Sequence, residues 1–327
     1  MRLSALPKRI VRSVIFRARR ANYWVIAKLV LGLFAILRLM PVDKALDVAD
    51  RAARRVGPWT GRHRIALDNL RHAFPEKTEA EIAAIASDMW GNMARLMTEY
   101  VFLDDLFDYD FENDTPGRVE VAGRDIFMEL KKQRRPRIFF TAHTGNFEMF
   151  PIAAASFGMN IASLFRAPNN PFLAQQVSAK RKLSGNRMVP SKAGAAYVLA
   201  RVLNAKGAVG ALVDQKFLRG MPTTFFGRPC LTSPLLPRLA RQYDADIFPA
   251  RCIRLPNNRY RLELFEKIEP PRDEKGEVDA ERLCQMMNDV VEGWVREYPG
   301  QWMWFHRRWE MKTGPHKTRK KVVDVEL

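Results

Sequence analysis

The 327-residue chain carries 54 Lys and Arg against 36 Asp and Glu, a formal net charge of +18. Its hydrophobic content of 47% excludes global disorder and is ample for one large folded domain. The positive charge indicates an anionic partner, for which nucleic acid, an anionic membrane surface and an acidic carrier protein all qualify. The 3 cysteines have neither zinc-site nor CxxC spacing, which argues against a disulfide framework and predicts buried free thiols.

A basic start followed by an apolar stretch predicts a membrane anchor over residues 1–41. As a helix, residues 22–41 would be about 30 Å long, enough to cross a bilayer core. Tyr23 and Trp24 suit an interfacial aromatic belt, and Lys28 can snorkel. Without a small-residue cleavage site and with cations on both flanks, the stretch favours a monotopic or re-entrant anchor over a signal peptide. The competing interpretation is an apolar core helix.

The next region, residues 42–117, is predicted to be helical. Helices are expected over residues 43–56, 62–71 and 78–102, followed by an acidic loop over 104–114. Gly57-Pro58 ends the first helix, and Thr78 with Glu81 has the spacing of a capping box that opens the longest one. The boundary to the main domain is expected near Pro116-Gly117.

Residues 118–311 alternate between strand and helix patterns, which predicts an α/β domain with a mixed, mostly parallel sheet flanked by helices. Strands are expected near residues 118–122, 137–142, 160–165, 208–213, 246–253 and 259–265. Helices are expected near 123–132, 147–157, 170–184, 192–205, 233–243 and 279–298. Pro256-Asn257-Asn258 between the last two strands predicts a hairpin. Residues 312–327 form a basic tail that can add attraction to an anionic membrane.

The segment from Ile138 to Glu148 is the most informative, because an apolar strand leads into His143, then Gly145, then a carboxylate. A histidine at a strand end can reach a substrate, and Glu148 in the first turn of the following helix can orient its ring. Such a pair suits general-base activation of a hydroxyl, the central step of acyl transfer. The alternative is a core histidine with satisfied hydrogen bonds. His63 has an acid at the same spacing, but on a continuous helix the two side chains would not face each other.

Three further constellations follow predicted strands or lie in loops. Arg166 can hold phosphate with its planar fork, or lie on the surface beside a helix start. Asp214 and Gln215 can line the same crevice as His143, although turn capping is the favoured local interpretation. The loop that contains Phe225 and Arg228 can cover an acyl chain or, more simply, plug the core.

The segment from Trp302 to Trp309 is dense in aromatic and cationic residues. An interfacial belt or cation–π stacking explains it, and base stacking on single-stranded nucleic acid is an alternative. Glycine-rich phosphate loops of the GxGxxG or Walker type do not occur in the sequence, so nucleotide binding has little support.

Taken together, several blocks make the chain resemble the bacterial lipid A late (secondary) acyltransferases, the lauroyl/myristoyl transferase family, within a glycerolipid-acyltransferase-like superfamily. The blocks are Asn69–Glu76, His143–Glu148, Arg166–Pro171, Asp214-Gln215, Phe225–Pro229 and Gln301–Trp309. The six blocks occur in order, and the resemblance covers most of the chain, from the N-terminal apolar helix to about Trp309. Members often have tryptophan before the glutamate, whereas this chain has Phe147.

The resemblance implies an inner-membrane enzyme whose active site faces the cytoplasm. It would transfer a fatty acyl group from acyl carrier protein to a hydroxyl of a lipid A precursor that bears Kdo, with neither metal nor cofactor. His143 and Glu148 correspond to the family's catalytic dyad, and Arg166 to an arginine that grips an anionic substrate group. Substrate contacts are also expected from Gly145, Asn146, Asn169, Asp214, Gln215 and Arg228.

Three alternatives remain at this stage. A glycerolipid acyltransferase would share the histidine–acid spacing, but its FPEGTR-like block lies downstream of the histidine, whereas Phe74-Pro75-Glu76 lies upstream here. A nucleic-acid-binding module would explain the charge but neither the membrane-length helix nor the His143 block, and no nucleic-acid partner is expected. An inactive relative that serves as a membrane scaffold would keep the sequence blocks without turnover.

Overall fold

The computed structural model describes residues 8–176 and 187–309, except for the side chains of residues 8–12 and 104. The helices are α1 (Lys8–Arg38), α2 (Val42–Val56), α3 (Gly61–Ala73), α4 (Glu79–Glu99), α5 (Leu103–Leu106), α6 (Arg124–Lys132), α7 (Met149–Ser156), α8 (Ala195–Asn204), α9 (Leu235–Tyr243) and α10 (Ala280–Glu297). The strands are β1 (Val119–Ala122), β2 (Arg137–Thr141), β3 (Ile161–Phe165), β4 (Arg187–Pro190), β5 (Ala208–Leu212), β6 (Met221–Phe225), β7 (Arg228–Thr232), β8 (Asp246–Leu255) and β9 (Arg259–Leu264).

The main sheet has 7 strands in the order β1-β9-β8-β2-β5-β3-β4. Neighbours from β8 to β4 run parallel, while β9 pairs antiparallel with β8 and parallel with β1. The predicted α/β class with a mostly parallel sheet is therefore confirmed, as is the β8–β9 hairpin. Because the strands from β8 to β4 share one direction, their carboxyl ends meet at a single edge, where α/β folds bind ligands.

Helices cover both faces of this sheet. On β2, Ile138 and Phe140 belong to the core under α3, α4, α8, α9 and α10, whereas Phe139 belongs to the core under α6 and α7. The alternation follows from the two-residue period of a strand buried on both sides. The second core also contains Leu37 of α1, so the predicted anchor helix packs against the body. Because α3 and α4 share a core with the sheet, the domain boundary near residue 117 stays a prediction.

The observed elements match most of the expected ones. The capping box is present: Thr78 Oγ1 accepts from Glu81 N–H, and the Glu81 carboxylate accepts from Thr78 N–H at 2.8 Å. The sequence interpretation missed β4 and the β6–β7 hairpin, and it placed the start of α7 two to three residues too early. Of the helix expected over 170–184, residues 171–176 are helical, and residues 177–184 lie outside the described part. The basic tail also lies outside it. The cysteines are buried free thiols, as predicted.

The aromatic segment near the carboxyl end of the described chain is part of the core, so the interfacial-belt interpretation is wrong. Trp302 and Trp304 are each 0% exposed and Trp309 is 8% exposed. They pack edge-to-face and stacked with Phe225 and Phe226, which confirms the plug interpretation of that loop. Burial of these large rings contributes strongly to the stability of this core.

Candidate active site

His143 lies two residues beyond β2, and the strand register determines its neighbour. Thr141 pairs with Leu212 across the parallel β2–β5 pair. Continuing both chains by two residues places His143 beside Asp214. Val213 N–H donates to the Thr141 carbonyl at 3.0 Å, which extends the ladder toward that point.

Asp214 is the carboxylate that holds the His143 ring in this structure. Its Oδ1 lies 2.8 Å from His143 Nδ1, and its Oδ2 accepts from the His143 backbone N–H at 2.8 Å. Trp302 Nε1 also donates to Oδ2, at 2.7 Å. Asp214 thus reaches across to the neighbouring strand end, and the turn-capping interpretation favoured from local sequence is wrong.

The electrostatics of Asp214 keep it ionised. Burial by itself raises the pKa of a carboxyl group, but the charge and hydrogen bonds of His143 and the indole N–H of Trp302 outweigh it and lower the pKa of Asp214 to about 2. An ionised acceptor on Nδ1 places the ring proton on that nitrogen. Nε2 is then the basic nitrogen of His143.

Gln215 meets that basic nitrogen. Its side-chain Nε2 lies 3.1 Å from His143 Nε2, so the amide N–H donates to the lone pair of the imidazole. Phe147 stands edge-on to the same ring, with centroids 4.9 Å apart. The His143 side chain is 18% exposed, so solvent reaches the ring while its orientation is fixed from two sides.

The loop between His143 and Glu148 is fastened to the body through its backbone. Gly145 has φ of +56° and donates to the Gln301 carbonyl at 3.1 Å. A Cβ at this position would lie 1.9 Å from the Cys252 carbonyl oxygen, so only glycine fits. Asn146 N–H donates to that same carbonyl at 3.2 Å. The predicted substrate contacts of Gly145 and Asn146 stay predictions, because their described contacts are with the protein itself.

A buried glutamate that sequence reasoning missed, Glu99 at the end of α4, anchors this loop from behind. Its carboxylate accepts from Asn146 Nδ2 at 2.9 Å, from Arg254 Nε at 3.0 Å and Nη2 at 2.6 Å, and from the Tyr260 hydroxyl at 2.8 Å. Asn146 Oδ1 accepts from the Glu148 backbone N–H at 3.1 Å. The chain of contacts therefore runs from Arg254 through Glu99 and Asn146 to the backbone of Glu148.

Glu148 stands at the start of α7 and is buried. Tyr100, the residue after Glu99, donates a hydrogen bond from its hydroxyl to the Glu148 carboxylate. The predicted dyad of His143 and Glu148 stays a prediction, since the carboxylate described on the imidazole is Asp214. Two acids, one on the ring and one in the pocket wall, thus share the site.

An apolar pocket opens at the carboxyl ends of β2, β3 and β5. The space within it that a water molecule can occupy is about 50 Å³, and about 630 Å³ is empty when the open mouth is included. Its walls are largely aliphatic and aromatic, with Glu148 and two hydroxyls as the polar groups. The lining residues are Leu103, Phe139, Phe140, Thr141, Phe147, Glu148, Phe150, Pro151, Ile152, Ser163, Leu164, Phe165, Met188, Gly210, Ala211 and Leu212. A mainly apolar lining with a few polar groups is the kind of surface that binds alkyl groups.

The other predicted substrate-binding residues lie in different surroundings. Arg166 and Asn169 are exposed on the loop after β3, at the same sheet edge as His143. Arg228 begins β7, and its guanidinium lies 4.8 Å from the centroid of the Trp309 ring. The substrate contacts of these three residues stay predictions. His63, by contrast, lies at the α3–α4 interface, where it accepts from Trp90 Nε1 at 3.1 Å.

His306 is a second histidine near the site. Burial lowers its pKa to about 4, so it is neutral near pH 7. Its Nε2 accepts from the backbone N–H of Lys216 at 3.0 Å, which fixes the chain directly after Gln215. Within the described residues, no group of three His, Cys, Asp or Glu side chains could hold a metal ion.

The charge around the site is one-sided. From residue 149 to residue 243 the sequence contains one acid, Asp214, and thirteen Lys and Arg residues. That single acid is buried and hydrogen-bonded to His143. By sequence, the segment that contains the loops after β3 and β5 is therefore strongly cationic.

Comparison with known proteins agrees with the geometry. A family model described as "Bacterial lipid A biosynthesis acyltransferase" matches residues 16–311. The Lipid A biosynthesis myristoyltransferase of Escherichia coli (strain K12) is 28% identical over 292 residues, which are 88% of this chain and 87% of that protein. The Lipid A biosynthesis acyltransferase of Haemophilus influenzae is 24% identical over 294 residues, 87% of each protein. The Lipid A biosynthesis lauroyltransferase of E. coli is 26% identical over 209 residues, 59% of this chain and 62% of that protein.

Proposed function

The chain belongs to the bacterial lipid A biosynthesis acyltransferase family, and we propose that it transfers a fatty acyl group from acyl carrier protein to a hydroxyl of a Kdo-bearing lipid A precursor. The observation that carries this proposal is the hydrogen-bonded pair of His143 and Asp214 at the sheet edge where the apolar pocket opens. A general base and an alkyl-chain cavity at the same sheet edge are what acyl transfer to a lipid hydroxyl requires.

The proposed reaction begins with the acceptor hydroxyl taking the place of the Gln215 amide at His143 Nε2. The imidazole accepts the hydroxyl proton while the oxygen attacks the thioester carbonyl. The tetrahedral intermediate then breaks its C–S bond, and the imidazolium returns the proton to the departing carrier sulfur. Asp214 holds Nδ1–H throughout and stabilises the imidazolium, as the carboxylate does in a catalytic triad.

The apolar pocket would hold the fatty chain, and Phe147 and Glu148, from the loop after His143, are part of its lining. We propose, as the sequence predicts, that Glu148 assists the base. It would act as a second acid, and the hydrogen bond from Tyr100 holds it in position. The surrounding cations of residues 149–243 would attract the acidic carrier protein and the phosphates of the acceptor. The donor is cytoplasmic, so we place the enzyme at the inner membrane with its active site on that side.

The test is a reconstituted transfer assay with purified enzyme, lauroyl- and myristoyl-acyl carrier protein, and a Kdo-bearing tetra-acylated lipid A precursor, read by mass spectrometry. The expected product is the acceptor plus one acyl chain. His143→Ala should abolish the product, whereas His72→Ala should retain it, because His72 is exposed on α3. Near-normal transfer by folded His143→Ala would refute the proposed base.

Two variations of the assay separate the alternatives. Glycerol 3-phosphate in place of the lipid acceptor should give no product, and a product there would support the glycerolipid branch instead. Raising the salt concentration should raise the KM for the acyl carrier protein, because screening weakens attraction to the cationic surface. Absence of transfer with every acceptor, in enzyme that is folded, would support a scaffold.

A further inference from the structure

Residues 301–308, which follow α10, are hydrogen-bonded to the loop after β2. The Gln301 carbonyl accepts from the Gly145 N–H at 3.1 Å, and Trp302 forms an isolated antiparallel bridge with Thr144. The backbone of this stretch therefore pairs with the loop that contains the candidate general base. We call residues 301–308 the brace segment.

Side chains of the brace segment are bonded to the loop after β5 as well. Three of them contact three consecutive residues there, one each. The pairs are Trp302 Nε1 with Asp214 Oδ2 at 2.7 Å, His306 Nε2 with the Lys216 N–H at 3.0 Å, and Arg308 Nη1 with the Gln215 carbonyl at 3.4 Å. One short segment thus contacts the loop that carries the base and the loop that carries its carboxylate and amide partners.

Asn69 of α3 holds the middle of the brace segment. It is 5% exposed, and its Nδ2 donates to the carbonyls of Trp304 at 2.7 Å and His306 at 2.9 Å. A side-chain amide has two N–H donors, and here both are used on the one segment. These bonds fix the backbone from which the His306 ring reaches the N–H of Lys216.

Arg308 holds the far end of the brace segment and is fully buried. Besides Gln215, its guanidinium donates to the Leu231 carbonyl at 2.7 Å, to Thr232 Oγ1 at 2.6 Å and to Asn288 Oδ1 at 3.1 Å. A buried charge is costly unless it is hydrogen-bonded, and these four acceptors supply the compensation. The planar fork of the guanidinium therefore has one well-defined position.

Two of the sequence blocks meet at this point. Asn69 begins the block Asn69–Glu76, and the carbonyls that it binds belong to the block Gln301–Trp309. Phe74 of the first block packs edge-to-face on Trp304 of the second, with ring centroids 5.6 Å apart. The first block, which takes no part in the steps of the proposed reaction, thus supports the brace segment.

Asn69 and Arg308 do not touch the reacting groups. Within the part of the chain that the structure describes, neither lines the apolar pocket and neither is hydrogen-bonded to His143. Their influence on the reaction is therefore through position. A general base must lie within hydrogen-bond reach of the proton it accepts. A displacement of about 1 Å can lower a rate on the order of 100-fold.

We propose that Asn69 and Arg308 are positioning residues for acyl transfer. By fixing the brace segment, they keep Asp214 on the Nδ1 side of the His143 ring and the Gln215 amide on its Nε2 side. The alignment of the base is thus set from α3 and from the polar cluster around Arg308, outside the apolar pocket. This assignment rests on the proposed function, because it takes His143 as the base of that reaction.

Two variants test the assignment in the transfer assay. Asn69→Ala removes both bonds to the brace segment and should lower kcat about 10- to 100-fold. The KM for acyl carrier protein should change less than about twofold, because the pocket and the cationic loops are untouched. Arg308→Lys keeps the charge, but one ammonium group cannot span the four acceptors, so kcat should fall in the same way. Unchanged kcat in both folded variants would overturn the assignment.

Thr78→Ala is the matched control for stability. Thr78 is exposed, and its described hydrogen bonds are those of the capping box with Glu81. Its loss should lower the Tm and leave kcat at the wild-type value. If kcat fell as far in Thr78→Ala as in Asn69→Ala, general destabilisation would explain both, and the positioning role would be refuted.

Proton NMR of the resting enzyme tests the alignment without any substrate. The Nδ1 proton of His143, bonded to an ionised carboxylate, should give a downfield resonance that is absent in His143→Ala. Asn69→Ala and Arg308→Lys should shift this resonance upfield and broaden it, whereas Thr78→Ala should keep it. An unchanged resonance in both variants would overturn the positioning role, whether or not the wild type transfers acyl groups. An altered resonance, in a wild type that transfers nothing, would refute the proposed function alone.

Discussion

Two cavities differ in kind: one includes Phe147 and Glu148 of the loop after His143 in its lining, and the other is lined by Glu99 and Gln301, which hydrogen-bond to that loop. The first, the apolar pocket, is lined mainly by aliphatic and aromatic residues. The second, a polar cavity of about 1070 Å³ with its mouth, is lined by paired charges such as Glu99 with Arg254 and Asp50 with Arg54. The difference indicates a division of labour. The polar cavity holds the loop through hydrogen bonds to Glu99 and Gln301, and the apolar pocket is the one that we propose for the fatty chain.

The largest expected effect is on the transfer rate, when the carboxylate on the His143 ring is removed. Asp214→Asn should lower kcat at least about 100-fold, because an amide no longer fixes the basic tautomer of His143 or stabilises its cation. Transfer rates under donor saturation measure it. Glu148→Gln is the comparison: a larger loss there than in Asp214→Asn would mean that Glu148 is the acid acting on the ring. Trp302→Phe, which removes one donor to Asp214, should lie between wild type and Asp214→Asn.

Removing the charge of Glu99 in the polar cavity should lower both the free energy of unfolding and the transfer rate. Glu99→Gln leaves the buried Arg254 uncompensated, which typically costs about 3–5 kcal/mol of unfolding free energy. It also loosens Asn146, so kcat should fall more than KM rises. Chemical denaturation and kinetics measure the two quantities. The control is Glu263→Gln, which weakens the ion pair with Arg251 away from the loop; an equal fall in kcat there would attribute the effect to general destabilisation.

Within this loop, Gly145 lies directly against the backbone of β8. Gly145→Ala should lower the unfolding free energy by more than about 2 kcal/mol, since left-handed strain is added to a clash with a backbone carbonyl. Thermal unfolding measures the loss. Gly194→Ala is the matched control, because its φ is also positive, at +88°, but nothing lies within 4 Å of its added Cβ. Equal losses would show that the clash with Cys252 contributes nothing.

A smaller effect is the pH dependence of the unfolding free energy, which arises from Asp214. Its pKa of about 2 lies below the ordinary 3.8, so its contribution is complete above pH 4 and disappears as pH falls through 2. The full contribution is about 2 kcal/mol. Between pH 5 and pH 2.5, the free energy of unfolding should therefore fall more for the wild type than for Asp214→Asn. Parallel curves for the two proteins would contradict the lowered pKa.

The smallest expected effect is a change in donor preference when the apolar pocket is narrowed. Leu164→Trp narrows the pocket from β3 and should shift donor preference toward shorter chains. One buried methylene is worth about 0.8 kcal/mol, or roughly fourfold in kcat/KM per carbon. Competition between lauroyl and myristoyl donors measures the ratio. Tyr197→Trp on α8 is the control, and an unchanged ratio in Leu164→Trp would remove the pocket from chain selection.

The sequence predicted the strands that are rich in apolar residues, because burial on both faces leaves a continuous pattern. It did not predict β4, which is four residues long and ends at Pro190. Nor did it predict the β6–β7 hairpin, where Pro222 and Pro229 resemble a loop and the turn is made by Phe226 and Gly227 with positive φ. Both are short edge structures whose pairing, not their composition, makes them strands.

For the site, the sequence identified His143, but it placed Asp214 and Gln215 in the same crevice only as the less favoured alternative to turn capping. It assigned Glu148 to the imidazole because that carboxylate is near in sequence. The contact with Asp214 depends on β2 and β5 being neighbours, and strand order is not readable from local patterns. Glu99 was missed for the same reason, since 47 residues separate it from Asn146 and only the folded chain brings α4 behind the loop.

The hydrogen bond from the Gln215 amide to the basic nitrogen of His143 has a consequence for which nucleophile can react. With that lone pair engaged, a stray water molecule cannot be deprotonated there without first displacing the amide. In the proposed reaction, a lipid acceptor held by many contacts would displace the amide, whereas water brings only its own hydrogen bonds. The amide would thus protect the bound thioester from hydrolysis until the acceptor hydroxyl takes its place.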